Sequence, residues 1–130
     1  MPKSMSQPLT GLRVVEFTHM VMGPACGMVL ADMGAEVIKV EPLEGDRTRH
    51  LLGAGSGFFP MFNRNKKSIA IDLHTPEGAA VARKLAAGAD VVFQEARLAE
   101  IEPLRCPALS ATHYKYDSCL RTFLLGYRLI

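Results

Sequence analysis

Residues 13–41, RVVEFTHMVMGPACGMVLADMGAEVIKVE, decide how the rest of the chain is read. Arg13 to Thr18 is β-branched and aromatic, which suits a strand. Gly23 and Pro24 interrupt it, and proline sits well in the first turn of a helix. Pro24 to Met33 is short and apolar on nearly every side, which predicts a helix buried on more than one face. Gly34 suits the position just past a helix, where glycine takes positive φ without strain. Glu36 to Glu41 reads as a second strand. Strand, helix and strand together predict a βαβ unit, an α/β fold of Rossmann-like type with a parallel sheet. Such a sheet leaves a ligand crevice at the strand ends.

Working outward, Met1 to Thr10 reads as a loose polar arm without the apolar core of a signal peptide. The loop His19 to Gly23 lies where a βα turn offers backbone N–H groups and a helix N-terminus to an anion such as phosphate. The glycines Gly23 and Gly27 do not make the G-x-G-x-x-G dinucleotide fingerprint, which counts against a standard NAD site. His19 by itself reads as a surface or half-buried loop histidine. Glu41 ends the second strand, where an acid often holds a ribose hydroxyl; a solvated loop carboxylate is the alternative. Asp46, Arg47 and Arg49 follow, either as a phosphate-binding pair of arginines or as an exposed charged loop.

The GAGSG run at residues 53–57 lacks the Lys-Ser or Lys-Thr pair of a P-loop and reads as a mobile loop. Phe58, Phe59, Met61 and Phe62 form an apolar knot. Asn63 to Lys67 is the most basic patch, with Lys66 a candidate for phosphate or for plain solvated surface. Ser68 to Leu73 predicts a third strand. Thr75-Pro76-Glu77 is a helix start, with an N-cap, a proline in the first turn and an acid, and that helix runs to about Ala87. Ala89 to Phe93 predicts a fourth strand, reached by a second crossover of expected right-handed sense. After Ala96 the periodicity fades, and Arg121 to Ile130 is apolar enough for a strand without an evident partner.

Composition narrows the function classes. The 130 residues, 48% hydrophobic, suffice for one core. A formal charge of +2 does not argue for nucleic acid. Cys26, Cys106 and Cys119 make neither a disulfide framework nor a zinc pattern, so a reduced, cytoplasmic setting fits. The apolar run Met20 to Ala31 is too short to span a bilayer, so no membrane role is expected. No metal site is expected.

The stretches FTHMVMGPACGMVLADMGAEVIKVEPLEGDRTR, FNRNKKSIAIDLHTPEG and ADVVFQE resemble, in order and spacing, the N-terminal part of the class III CoA-transferases. The formyl-CoA transferase branch is similar in texture. Carnitine CoA-transferases and α-methylacyl-CoA racemases belong to the same group. The resemblance covers Pro8 to Glu95, dividing the chain into a Rossmann-like CoA-binding region at 1–95 and an unmatched tail at 96–130. It implies CoA or an acyl-CoA thioester as substrate rather than a permanently bound cofactor. It also implies interlocked homodimers for intact relatives.

By position, the resemblance places His19, Met20, Val21 and Met22 beside CoA. Ile71, Asp72, Leu73 and His74 fall at its nucleotide end. Pro42 falls where relatives carry an arginine or similar contact. Glu95, Ala96 and Arg97 stand where relatives usually read Asn-Phe and a third contact residue. The transferases' catalytic aspartate lies downstream of the chain's last residue, and neither Asp117 nor His113 matches a catalytic position, so no catalytic residue is assigned. The expectations are therefore an enzyme fragment truncated or frame-shifted near residue 96, a non-catalytic module for CoA or another adenine nucleotide, or a degenerate product.

Overall fold

A computed structural model of the chain describes residues 6–94. It contains a four-stranded sheet, β1 (Arg13–Phe17), β2 (Glu36–Glu41), β3 (Lys67–Ala70) and β4 (Val91–Gln94), in the order β3-β2-β1-β4. All three pairings are parallel: Val14 lies opposite Val37 and Val91, and Ile38 opposite Lys67. The strands are joined by α1 (Met22–Asp32), α2 (Phe58–Asn63) and α3 (Pro76–Ala87), with 3-10 turns at Arg47–His50 and Gly53–Gly55. This is the α/β parallel architecture the sequence predicts.

Two apolar cores lie on opposite faces of the sheet. Val15, Phe17, Val40, Ile71 and Val92 meet Ala82 of α3, with Leu85 and Ala86 at the margin. Val14, Val37 and Phe93 meet Ala31 of α1 and Ala35, with Leu9 and Leu30 packed beside them. Side chains alternate between the faces along each strand, which is why neighbours such as Val14 and Val15 serve different cores. Leu9, expected to tuck under the first strand, does pack against this second core.

The element ends follow local chemistry, with several differences from the sequence reading. α3 starts at Thr75, whose hydroxyl accepts from Gly78 N at 3.1 Å, and ends at Gly88. α1 begins at Met22 rather than Pro24, so the proline occupies the third helical position. It loses nothing there, because the first-turn N–H groups have no intrahelical acceptor. Gly34 follows α1 at φ +99°, as expected for a helix-terminating glycine. The GAGSG run contains a 3-10 turn at Gly53–Gly55, and the apolar knot is a short helix, α2. There Phe58 meets Phe62 edge to face at 6.0 Å between centroids.

α1 is buried along Gly23, Pro24, Gly27 and Ala31, a small-residue stripe that lets it lie close to the sheet. The sheet covers one face of α1 and α2 packs against another, so the expected burial on more than one face is met in part. Among the described residues a further side is open, with Met22 63% and Val29 49% exposed. The expected strand at 121–130 lies outside the described residues.

Candidate functional site

The sheet order places β1 and β4 side by side at its switch point. In open α/β sheets the ligand crevice lies beyond the carboxyl ends of such strands. β1 delivers Thr18 and the turn His19–Val21 to this edge, and α1 leaves from it. His19, Met20 and Met22 are exposed there and Val21 is half-buried, so the structure groups four of the expected contact residues on one turn. Met20 holds φ +62°, the left-handed region that non-glycine residues seldom occupy.

β3 ends two strands away, at a separation of about 10 Å from the usual strand spacing. Ile71 packs its side chain in the core beneath α3. That leaves the backbone of Ile71, and not its side chain, for the nucleotide end, since an aliphatic group following a parallel strand is worth more in the core. Asp72 Oδ1 accepts from His74 N at 2.9 Å, and Asp72 O accepts from the Thr75 hydroxyl at 2.9 Å, shaping the entry to α3. Leu73 is half-buried and His74 exposed. Pro42 is exposed at the end of β2, between the two turns. Glu95, Ala96 and Arg97 lie outside the described residues, as do His113 and Asp117.

Glu41 is 3% exposed, which corrects the reading of a solvated carboxylate. Its oxygens accept from Arg49 Nε and a second Arg49 nitrogen, each at 2.7 Å, from Ser68 Oγ at 2.6 Å and from Asp46 N at 2.8 Å. Burial works against ionisation, but these donors hold its pKa at about 2. A ribose hydroxyl would have to displace one of them. Arg49 is committed to this fork and stacks over Phe59, its guanidinium 3.7 Å from the ring centroid.

The EGDRTR run is not simply an exposed loop either. Asp46 and Thr48 are buried, and Asp46 Oδ1 accepts from Thr48 N at 2.8 Å, capping the 3-10 turn. Burial disfavours the Asp46 anion. The Thr48 donors and the Lys39 ammonium outweigh it and hold the pKa below the ordinary value.

Lys66 corrects both of its readings. Its side chain is 2% exposed, neither on the surface nor toward the crevice. The ammonium donates to Glu16 Oε1 at 2.7 Å, Pro24 O at 2.7 Å and Asn63 Oδ1 at 3.2 Å, using all three of its donors. Burial pulls its pKa down against the pull of Glu16. The turn that aims it inward carries Asn65 at φ +62°. Arg64 and Asn65 both bind the Asp32 carboxylate at the end of α1.

Behind the turn lies a buried ionic cluster that the sequence reading missed. Glu16 and Lys39 face each other in the β1–β2 register on the α1 side of the sheet. Both side chains are at most 1% exposed, with Lys39 Nζ 3.9 Å from Glu16 Oε1 and 2.9 Å from Asp46 Oδ2. Burial raises the Glu16 pKa despite Lys66 and Lys39. A Cβ on Gly27 would fall 1.8 Å from Glu16 Oε2, so the carboxylate is seated directly against the α1 backbone. A signal was present: acid and base stand mid-strand at matching positions, V-V-E-F against V-I-K-V. A sheet covered on both faces must bury them, and buried charges are paired.

Comparison with known proteins agrees with this geometry. The family model described as CoA-transferase family III matches residues 9–110. A succinyl-CoA--D-citramalate CoA-transferase of Chloroflexus aurantiacus is 45% identical over 101 residues, covering 74% of this chain and 25% of that protein. A formyl-CoA:oxalate CoA-transferase of Escherichia coli is 43% identical over 95 residues, covering 69% and 23%. The crystal structure of a CaiB/BaiF family protein from Brucella suis superposes with a TM-score of 0.68 at 41% identity, covering 75% of this chain and 28% of that one. The chain thus spans about a quarter of the length of these relatives. The family match runs through the strand, turn and helix that build the crevice and continues past β4, and on that ground the chain belongs to CoA-transferase family III.

Proposed function

We propose that the chain supplies part of a CoA pocket, with the nucleotide and phosphates of CoA lying along the strand carboxyl ends from Ile71–His74 past Pro42 to His19–Met22. Glu95, Ala96 and Arg97 would continue that pocket. The observation that carries the reading is the β1–α1 turn at the switch point of a family III sheet, where His19, Met20 and Met22 are exposed at the N-terminus of α1. The thioester is a substrate here, not a resident cofactor. The free, exposed Cys26 suits a reduced, cytoplasmic setting.

In the reaction proposed for the intact enzyme, an aspartate carboxylate attacks the acyl-CoA thioester to form a mixed anhydride and release CoA thiolate. The acceptor acid's carboxylate then exchanges with the donor acid, and CoA thiolate takes the new acyl group and frees the aspartate. None of the described aspartates suits this role. Asp32 is bound by Arg64 and Asn65, and Asp46 is buried against Lys39 and Thr48. Asp72 shapes the α3 entry, and Asp90 accepts from Arg13 N at 2.8 Å at the opposite end of the sheet. Carbonyl attack also needs donors aimed at the developing oxyanion. Residues 6–94 are therefore expected to contact CoA without supplying the nucleophile.

The test is calorimetry with CoA and with NAD, together with chromatography of CoA esters after incubation with formyl-CoA or succinyl-CoA and oxalate. CoA should bind more tightly than NAD, without turnover. Tighter NAD binding would reject the pocket assignment. Turnover abolished by Asp117→Ala would place the nucleophile within this chain.

A further inference from the structure

Two buried ammonium groups end on backbone carbonyls that bracket the β1–α1 turn. Lys39 Nζ donates to Thr18 O at 2.6 Å, before the turn. Lys66 Nζ donates to Pro24 O at 2.7 Å, in the first turn of α1. Between these points run His19 to Gly23, including Met20 in its left-handed conformation. A residue held at such a backbone angle persists only where its surroundings over-determine it. The Met20 and Met22 side chains are exposed, so their own packing does little to fix it.

The anchors are themselves held. Glu16 Oε1 and Asn63 Oδ1 grip Lys66, and Asp46 Oδ2 grips Lys39. The cluster contains two carboxylates, Glu16 and Asp46, and two ammonium groups, so its charges cancel. Its influence on a ligand at the crevice is consequently geometric more than electrostatic. An ammonium suits this site better than a guanidinium, because it is compact and its donors rotate onto three acceptors. A Cβ on Gly27 would lie 3.1 Å from Lys66 Nζ, which shows how little space surrounds it.

We propose that Lys39 and Lys66 are positioning residues that clamp the β1–α1 turn at both ends, presenting its backbone N–H groups in the shape that receives an anionic ligand. The ligand's identity rests on the CoA reading above; the clamp does not. Loss of the Lys66 hydrogen bond to Pro24 O frees one end of the turn without touching any exposed ligand contact.

The experiment compares the 130-residue chain with Lys66→Met and with the charge-neutral double variant Glu16→Met, Lys66→Met. Unbranched apolar side chains in place of a buried ion pair commonly preserve stability, so the double variant keeps the test alive if the single one fails to fold. Amide hydrogen exchange is read without ligand, and CoA affinity by calorimetry. The clamp predicts faster exchange at His19 to Met22 by about tenfold or more, unchanged exchange at Val14, Val15, Val37 and Ile38, and a similar weakening of CoA binding, the scale of one lost charged hydrogen bond. Wild-type exchange and affinity in a folded variant would overturn it. So would exchange that rises equally across sheet and turn, which marks a cluster serving global stability only. If CoA binds neither wild type nor variant while turn exchange still rises, the clamp stands and the CoA reading falls.

Discussion

Gly27→Ala puts a number on how tightly α1 is seated. In an open helix this change would stabilise by about 1 kcal/mol, because glycine is the poorer helix former. Here the new methyl carbon would fall 1.8 Å from Glu16 Oε2 and 3.0 Å from the carboxyl carbon. The carboxylate is the end of a side chain, so it could swing. It is nevertheless fully buried, and its Oε1 is bound to Lys66. If α1 shifts instead, overpacking costs about 1–3 kcal/mol. If the carboxylate turns away from Lys66, a broken buried ion pair costs about 3–5 kcal/mol. Set against the helical gain, a shift of α1 nets a loss of about 0–2 kcal/mol and a broken ion pair about 2–4 kcal/mol, so the expected loss centres on about 2 kcal/mol. For an ordered region of this size that lowers the melting midpoint by on the order of 10 °C. Thermal and urea unfolding followed by circular dichroism reads it. The background Glu16→Asp, with a carboxylate one bond shorter, should relieve much of the penalty in a double-mutant cycle. An alanine variant as stable as wild type would refute the close seating of Glu16 against α1.

Further outcomes follow from the same contacts. Glu41, held at about 2 in the fold against an ordinary 4.5, contributes stability that is present above about pH 4.5 and lost as pH falls toward 2. That contribution is below about 3 kcal/mol, because the part-exposed Arg49 screens it, and the raised Glu16 pKa opposes it in the net pH dependence. Urea midpoints from pH 7 to 3 should therefore fall less steeply in Glu41→Gln. Thr75→Ala removes the acceptor for Gly78 N and should cost about 1 kcal/mol in chemical unfolding, with α3 intact otherwise. The exposed α1 stripe of Met22, Cys26, Val29 and Met33 predicts self-association of the isolated chain, so sedimentation coefficients should rise with concentration. Lys66→Glu should unfold the chain rather than merely weaken ligand binding, since it sets a second carboxylate against buried Glu16; a folded variant with a native midpoint would contradict the inward placement.

The βαβ unit was legible because its signals are local. Gly34 marks the end of α1, Thr75-Pro76 marks the start of α3, and β-branched runs mark β1 and β2. Lys66, Glu41 and Asp46 were misread because charge in a single sequence looks like solvent exposure. Their burial depends on partners 50, 8 and 7 residues away, in Glu16, Arg49 and Lys39, which no local pattern pairs. α2 escaped notice for a different reason: six residues are too few to show a helical period. The turn at His19–Met22 could be placed from the glycine and proline that follow it. Its left-handed Met20 and its two lysine clamps arise only once β2 and the segment after α2 are in place.

The sheet order also bears on how the chain is made. β1 leaves the ribosome early and soon meets β2, yet its other edge is closed only by β4, with Arg13 and Asp90 separated by 77 residues. At typical synthesis rates of about 5–20 residues per second, that edge waits on the order of 4–15 s for its partner. Through that interval the backbone of Val14 to Phe17 offers an unpaired row of donors and acceptors beside an apolar face, a template for strands of other chains. Slow codons placed before β4 would prolong this exposure, whereas pauses after Gln94 has emerged would not.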